Sequence, residues 1–177
     1  MTAPRPRSRL TRDDWLAAGL AALSETGPGA LGAEPLARRV GATKGSFYWH
    51  FADVPAYSAA LLALWQAAVE AALEPDETDP AAARLRTCAQ AIATPPHDAE
   101  PAIRAWAATD PQAARAVAAT DTARRDRLAA LLAACGIANP DMARILLGAA
   151  IGMQGLGGAK ANRDAIGSLV DLMLALR

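Results

Sequence analysis

The chain has 177 residues, enough to bury a core of its own and to hold either one domain or a small and a medium one. Its apolar share is 53% but aromatics supply only 5%, so alanine and leucine dominate; strand-favouring residues are scarce, and an all-α protein is expected. Formal charge is zero, yet residues 1–51 hold seven basic and four acidic groups, a net +3, against −3 for the remainder, as a DNA-binding head on an acidic body would show.

Residues 1–10 carry two prolines and three arginines with almost no apolar content. They read as a disordered basic arm, either a solvated tail or a minor-groove contact. Thr11 is a good N-cap for a first helix, with Asp13 and Asp14 placed to suit its dipole. Leu16, Leu20 and Leu23 repeat at helical spacing to Ser24, and Gly27-Pro28-Gly29 ends the helix. A short second helix is predicted from Ala33 to Val40, with Gly32 as its cap and Pro35 in its first turn. Gly41-Ala42-Thr43 follows as a tight turn, and Thr43 caps a third helix from Lys44 to Phe51. Two short helices joined by a three-residue turn containing glycine make a helix-turn-helix, whose second helix can enter the major groove.

Asp53 caps a long fourth helix with Pro55 in its first turn, running to about Leu73, and Leu61, Trp65, Val69 and Leu73 line one face. Glu74 to Pro80 is an acidic, proline-bounded loop. Further helices are expected at about 80–94, 100–109, 111–135, 140–157 and 163–176, punctuated by Pro95-Pro96, Asp110-Pro111, Gly136 and Asn139-Pro140. The count is then about nine. Cys88 and Cys135 lie far apart without a C-x-x-C, so they read as small buried apolar residues rather than a zinc site or disulfide. No signal peptide or membrane span is visible, which points to a soluble cytoplasmic protein without cofactors or metals.

The first helix, RDDWLAAGLAALSETG (Arg12–Gly27), and the segment LARRVGATKGSFYWHF (Leu36–Phe51) closely resemble the N-terminal region of the TetR family of bacterial transcriptional regulators. The turn glycine, capping threonine, Lys-Gly, aromatic pair and terminal His-Phe fall in register, over about residues 10–57. The chemistry agrees with the resemblance. A major-groove helix must open with small or polar residues so that its backbone approaches the base edges, and Thr43, Lys44, Gly45 and Ser46 meet that need. Arg12, Lys44, Tyr48, Trp49 and His50 join them as candidate DNA-binding residues, while Phe47 and Phe51 share an inward face. Three positions depart from the family pattern: Gly19 for its usual alanine, Gly32 for its usual hydroxyl residue, and Val54 for a phosphate-contacting lysine.

The resemblance implies an organisation of 11–52 as DNA-binding domain and 53–177 as helical ligand-binding and dimerisation domain. For the homodimer interface the candidates are Gly148, Gly152, Gly155, Ile166, Leu169, Val170 and Met173, with packing within the monomer as the competing explanation. For an inducer cavity they are Trp65, Cys88, Ile92, Trp106, Met153 and Gln154, with Arg104 as an anchor for an acidic group; core packing is the competing reading for each. Asp121 and Arg125 read as a helix-surface pair. The implied partners are double-stranded operator DNA, a second copy of the chain, and an apolar or aromatic small-molecule inducer. The expected function is a repressor released from a palindromic operator. The alternatives are a regulator without a small-molecule ligand and, more remotely, an enzyme, for which no phosphate loop, metal-spaced set or nucleophile elbow is present.

Overall fold

The computed structural model describes residues 10–74 and 78–176. The predicted arm, residues 1–10, lies outside the described residues except for Leu10, as does the middle of the acidic loop at 75–77. Within them the chain is all-α: α1 Arg12–Thr26, a 3-10 turn Pro28–Leu31, α2 Ala33–Val40, α3 Lys44–His50, α4 Val54–Ala72, α5 Ala81–Ala93, α6 Glu100–Ala107, α7 Pro111–Ala134, α8 Pro140–Met153 and α9 Ala159–Ala175.

The helix ends follow from local chemistry. Thr11 and Asp14 form a reciprocal capping box on α1, the Thr11 hydroxyl accepting from the Asp14 amide and the Asp14 carboxylate accepting from the Thr11 amide. Gly27 (φ 87°) closes that helix by donating to the Leu23 carbonyl. Beyond it, Pro28–Leu31 winds into a 3-10 turn where only a helix stop was expected, and Leu31 is buried by it. Asp53, Asp110 and Asn139 cap α4, α7 and α8 through their side chains.

The last two helices differ from expectation. α8 stops at Met153 rather than 157, and α9 begins at Ala159 rather than 163. Gly155, Gly157 and Gly158 lie between them, and glycine's high backbone entropy disfavours continuing a helix across such a run.

The chain divides into two compact units, the first ending at Leu61 and the second beginning at Leu62. The division falls inside α4, where Tyr57 and Leu61 complete the core of the first unit. That core comprises Trp15, Leu16, Leu20, Leu23, Leu31, Leu36, Phe47 and Phe51 as well. In the second unit α5 packs against α7, α8 and α9, and α7 carries α6. Trp65, Leu85, Ile92, Ile103, Leu128, Leu146, Ile166 and Val170 are wholly enclosed there. Each such side chain contributes roughly 1.5–3 kcal/mol on leaving water.

A buried ionic cluster joins α6 to α7. Glu100 and Arg124 are almost wholly enclosed and bonded in a bidentate pair at 2.5 and 2.8 Å. Arg104 donates to Glu100 and also, at 2.7 and 2.9 Å, to Asp121. The predicted Asp121–Arg125 pairing does not form: Asp121 turns inward to Arg104, and Arg125 bonds its neighbour Asp126.

Candidate nucleic-acid interface

The first unit presents α3 on its surface by burying one side of it. Phe47 and Phe51, one turn apart, are enclosed, with ring centroids 5.2 Å from each other. Trp15 packs edge-on to Phe47 at 5.5 Å, and Tyr57 lies 5.2 Å from Phe47 and 4.8 Å from Phe51. Such offset and edge-on contacts favour a fixed arrangement beyond their buried area. The opposite side of α3 is therefore outermost.

Its first turn is built as the sequence implies. Gly41 adopts the left-handed conformation (φ 67°, ψ 34°), and its amide satisfies the last carbonyls of α2. Thr43, extended, accepts the Ser46 amide at 3.2 Å. Thr43, Lys44 and Gly45 are exposed and Ser46 is half-buried. Further along, Tyr48 is 46% exposed and Trp49 79%, while His50 is half-buried with its ring 6.5 Å from that of Trp15. Arg12 is exposed with its guanidinium 5.2 Å above the Phe51 ring, which brings a cation from α1 to the end of α3. The eight candidate residues thus occupy one continuous stretch of α3 and the neighbouring start of α1.

Beside this surface, Arg39 forms a two-bond ion pair with Glu25 at 2.7 and 2.8 Å, which ties α2 to α1. The arginine holds the Glu25 carboxyl below its ordinary value. Arg38 next to it is exposed.

Two of the three departures acquire a physical cause. A Cβ at Gly32 would stand 3.2 Å from the Pro35 ring, a tight approach that glycine avoids. A Cβ at Gly19 would lie 1.7 Å from the Tyr57 hydroxyl, so any other residue would force the Tyr57 side chain or its surroundings to shift. Val54 is half-buried at the first position of α4. Trp15 and Tyr57 were not singled out from sequence, although Tyr57 lies one turn before Leu61 and so extends the apolar stripe of α4.

In the second unit the candidate ligand residues differ in exposure. Trp65, Cys88 and Ile92 are wholly enclosed and Trp106 nearly so. Burial pushes the Cys88 thiol up to about 11, which keeps it protonated and unreactive. Arg104 is bonded to Glu100 and Asp121, so its charge is matched within the unit. Gln154 donates to the Ile92 carbonyl at 2.8 Å and borders an open cleft of about 270 Å³ together with Thr94, Pro101 and Asn162. Met153 is half-buried. Among the described residues, the Trp15 and Trp65 indole N–H groups and the Nε atoms of Arg84 and Arg124 are buried donors without an acceptor.

The dimer candidates separate into two groups. Ile166 and Val170 are fully enclosed within the unit. Gly148, Gly152 and Gly155 are exposed and Leu169 and Met173 half-buried. Ile145, Leu156, Leu172 and Leu176, not singled out from sequence, are 51–78% exposed on the same two helices and the turns beside them.

Residues 16–53 match the family model described as bacterial regulatory proteins, tetR family. Among solved structures the chain is similar to a transcriptional regulator from Rhodococcus sp. Rha1, at 22% identity over 94% of this chain and 97% of that one, with a TM-score of 0.76. It is also similar to a protein from Rhodococcus sp. described as a TetR-family transcriptional regulator, at 18% identity over 92% and 98%, TM-score 0.74. These likenesses extend the shared helical fold across the second unit. No curated protein sequence matches the chain.

Proposed function

The chain carries a helix-turn-helix domain of the TetR family, and we propose that it is a transcriptional regulator that binds operator DNA as a homodimer and is released by a small molecule. The observation that carries the reading is the outer side of α3, where an exposed Thr43-Lys44-Gly45 turn is followed by exposed Tyr48 and Trp49. Small and polar groups open the helix towards base edges, and hydroxyls and amides beyond suit phosphate oxygens. One helix of this length reads few bases, so two copies on paired half-sites are needed for selectivity. The exposed apolar residues of α8 and α9, interleaved with Gly148 and Gly152, support those helices as the surface joining the copies.

Repression follows from occupancy of a palindromic operator. An inducer that favours a conformation whose two recognition helices no longer match successive major grooves shifts the population off DNA. A ligand with acceptor atoms that reached the buried donors of the second unit, Trp65 Nε1, Arg84 Nε and Arg124 Nε, would satisfy them. The complete enclosure of Trp65, Cys88 and Ile92 favours the second reading, a DNA-bound regulator that responds to no small molecule. A thermal-shift screen separates the two, because a ligand of the folded state raises its melting temperature. A cytoplasmic location belongs to the same proposal; no described helix is long and apolar enough to cross a membrane.

The decisive test is binding of the full chain to its own upstream DNA across a salt series, beside Lys44→Ala and Tyr48→Ala. Selective binding lost in both variants is the expected result. Weak, sequence-independent binding that vanishes at physiological salt would overturn the operator reading.

A further inference from the structure

Tyr57 stands where α1, α3 and α4 meet. Its side chain is wholly enclosed, and its hydroxyl donates to the Trp15 carbonyl of α1 at 2.9 Å. Its ring lies against Phe47 and Phe51, the two residues that α3 turns inward. The Trp15 carbonyl lies inside α1, where the amide of Gly19 is its helical partner. The hydroxyl thus adds a second bond that α1 does not need for its own integrity. It gains access because Gly19 has no side chain: a Cβ there would stand 1.7 Å from the Tyr57 oxygen, 2.9 Å from Cζ and 3.2 Å from a Leu61 methyl.

We infer that Tyr57 is a positioning residue for DNA recognition, its hydroxyl seated over Gly19 to fix the register of α4 on α1 and its ring holding α3 through Phe47 and Phe51. The inference rests on the DNA-binding reading above. An apolar ring alone would fill the same cluster, but apolar contact is non-directional and tolerates sliding. A hydrogen bond holds its distance to a few tenths of an ångström, and a recognition surface must be held within about half an ångström to discriminate. Burial pushes ionisation of this phenol well above its ordinary value, so the donor proton is retained at any working pH.

The test compares the full chain with Tyr57→Phe, which keeps the ring and deletes the hydroxyl, and with Gly19→Ala, which blocks the seat. Three quantities are measured: melting temperature, amide exchange across residues 44–51, and the ratio of affinities for a duplex selected by the wild type from a random pool and for a scrambled duplex. For Tyr57→Phe we expect a melting temperature within a few degrees of wild type and faster exchange in α3. The affinity ratio should fall about tenfold, as the loss of one registering bond implies. Gly19→Ala should do the same or more; if it fails to fold, Tyr57→Phe carries the test. Unchanged α3 exchange, or equal loss of affinity for both duplexes, overturns the inference. A wild type that selects no duplex defeats the DNA-binding reading instead, and the exchange data then decide alone whether Tyr57 sets α3.

Discussion

Gly41 connects α2 to α3 at φ 67°, where a Cβ is opposed by the following carbonyl. Gly41→Ala is therefore expected to cost about 1–2 kcal/mol in urea denaturation, and Gly41→Asn less, because asparagine tolerates this conformation. An equal cost for both would show that the turn relaxes. Val54 offers the complementary experiment at a single residue. It stands half-buried at the first position of α4, where the resemblance places a lysine that contacts phosphate. Val54→Lys should tighten operator binding and steepen its log–log salt slope by roughly 0.9, the value for one additional phosphate contact. A slope that does not change would mean that this position faces away from DNA.

At the scale of elements, α6 is held to α7 by charge as well as by apolar contact. Burial by itself would raise the Glu100 carboxyl, but hydrogen bonds and charge from Arg124, and then Arg104, bring it below its ordinary value of 4.5. Because the folded value is lowered, the carboxylate stabilises the fold above its unfolded value, and that contribution is lost as pH falls through the folded value. Glu100→Gln leaves the enclosed Arg124 with only Asp121, at 3.8 Å, as counter-charge and should cost on the order of 3 kcal/mol at neutral pH. The deficit relative to wild type should shrink as the medium is acidified. A variant of undiminished stability at pH 7 would show that the pair contributes nothing net. Arg86 and Asp171 pair α5 with α9 in a more exposed setting, where an ion pair contributes little.

For the molecule as a whole, the question is what covers α8 and α9. Leu172 is 56% exposed and Ile145 51%, while Ile166 and Val170 on the other side of α9 are already spent on the core. Leu172→Arg should convert a dimer to monomer in sedimentation analysis and weaken binding to a palindrome far more than to a single half-site. A variant that remains dimeric would move the joining surface elsewhere. The buried Val170 provides the contrast: Val170→Ala should lower stability by cavity formation and leave the assembly state alone.

The helical class, most helix ends, and the order of the helix-turn-helix were legible in the sequence because they depend on neighbours. Capping by Thr11, Thr43 and Asp110, the left-handed Gly41 and the inward pair Phe47–Phe51 act over at most one or two turns. The 3-10 turn at Pro28–Leu31 and the early end of α8 were less legible, since glycine and proline mark a break without specifying the backbone conformation beyond it. Only the tertiary structure decided the contacts between partners distant in the chain. Tyr57 meets Trp15 across 42 residues with its hydroxyl over Gly19, and Arg104 turns to Asp121 instead of solvent. Helical periodicity identifies an apolar face but cannot tell which helix covers it. Ile166 and Val170 therefore read from sequence equally as a surface for a second copy and as packing within the monomer, and the structure encloses both.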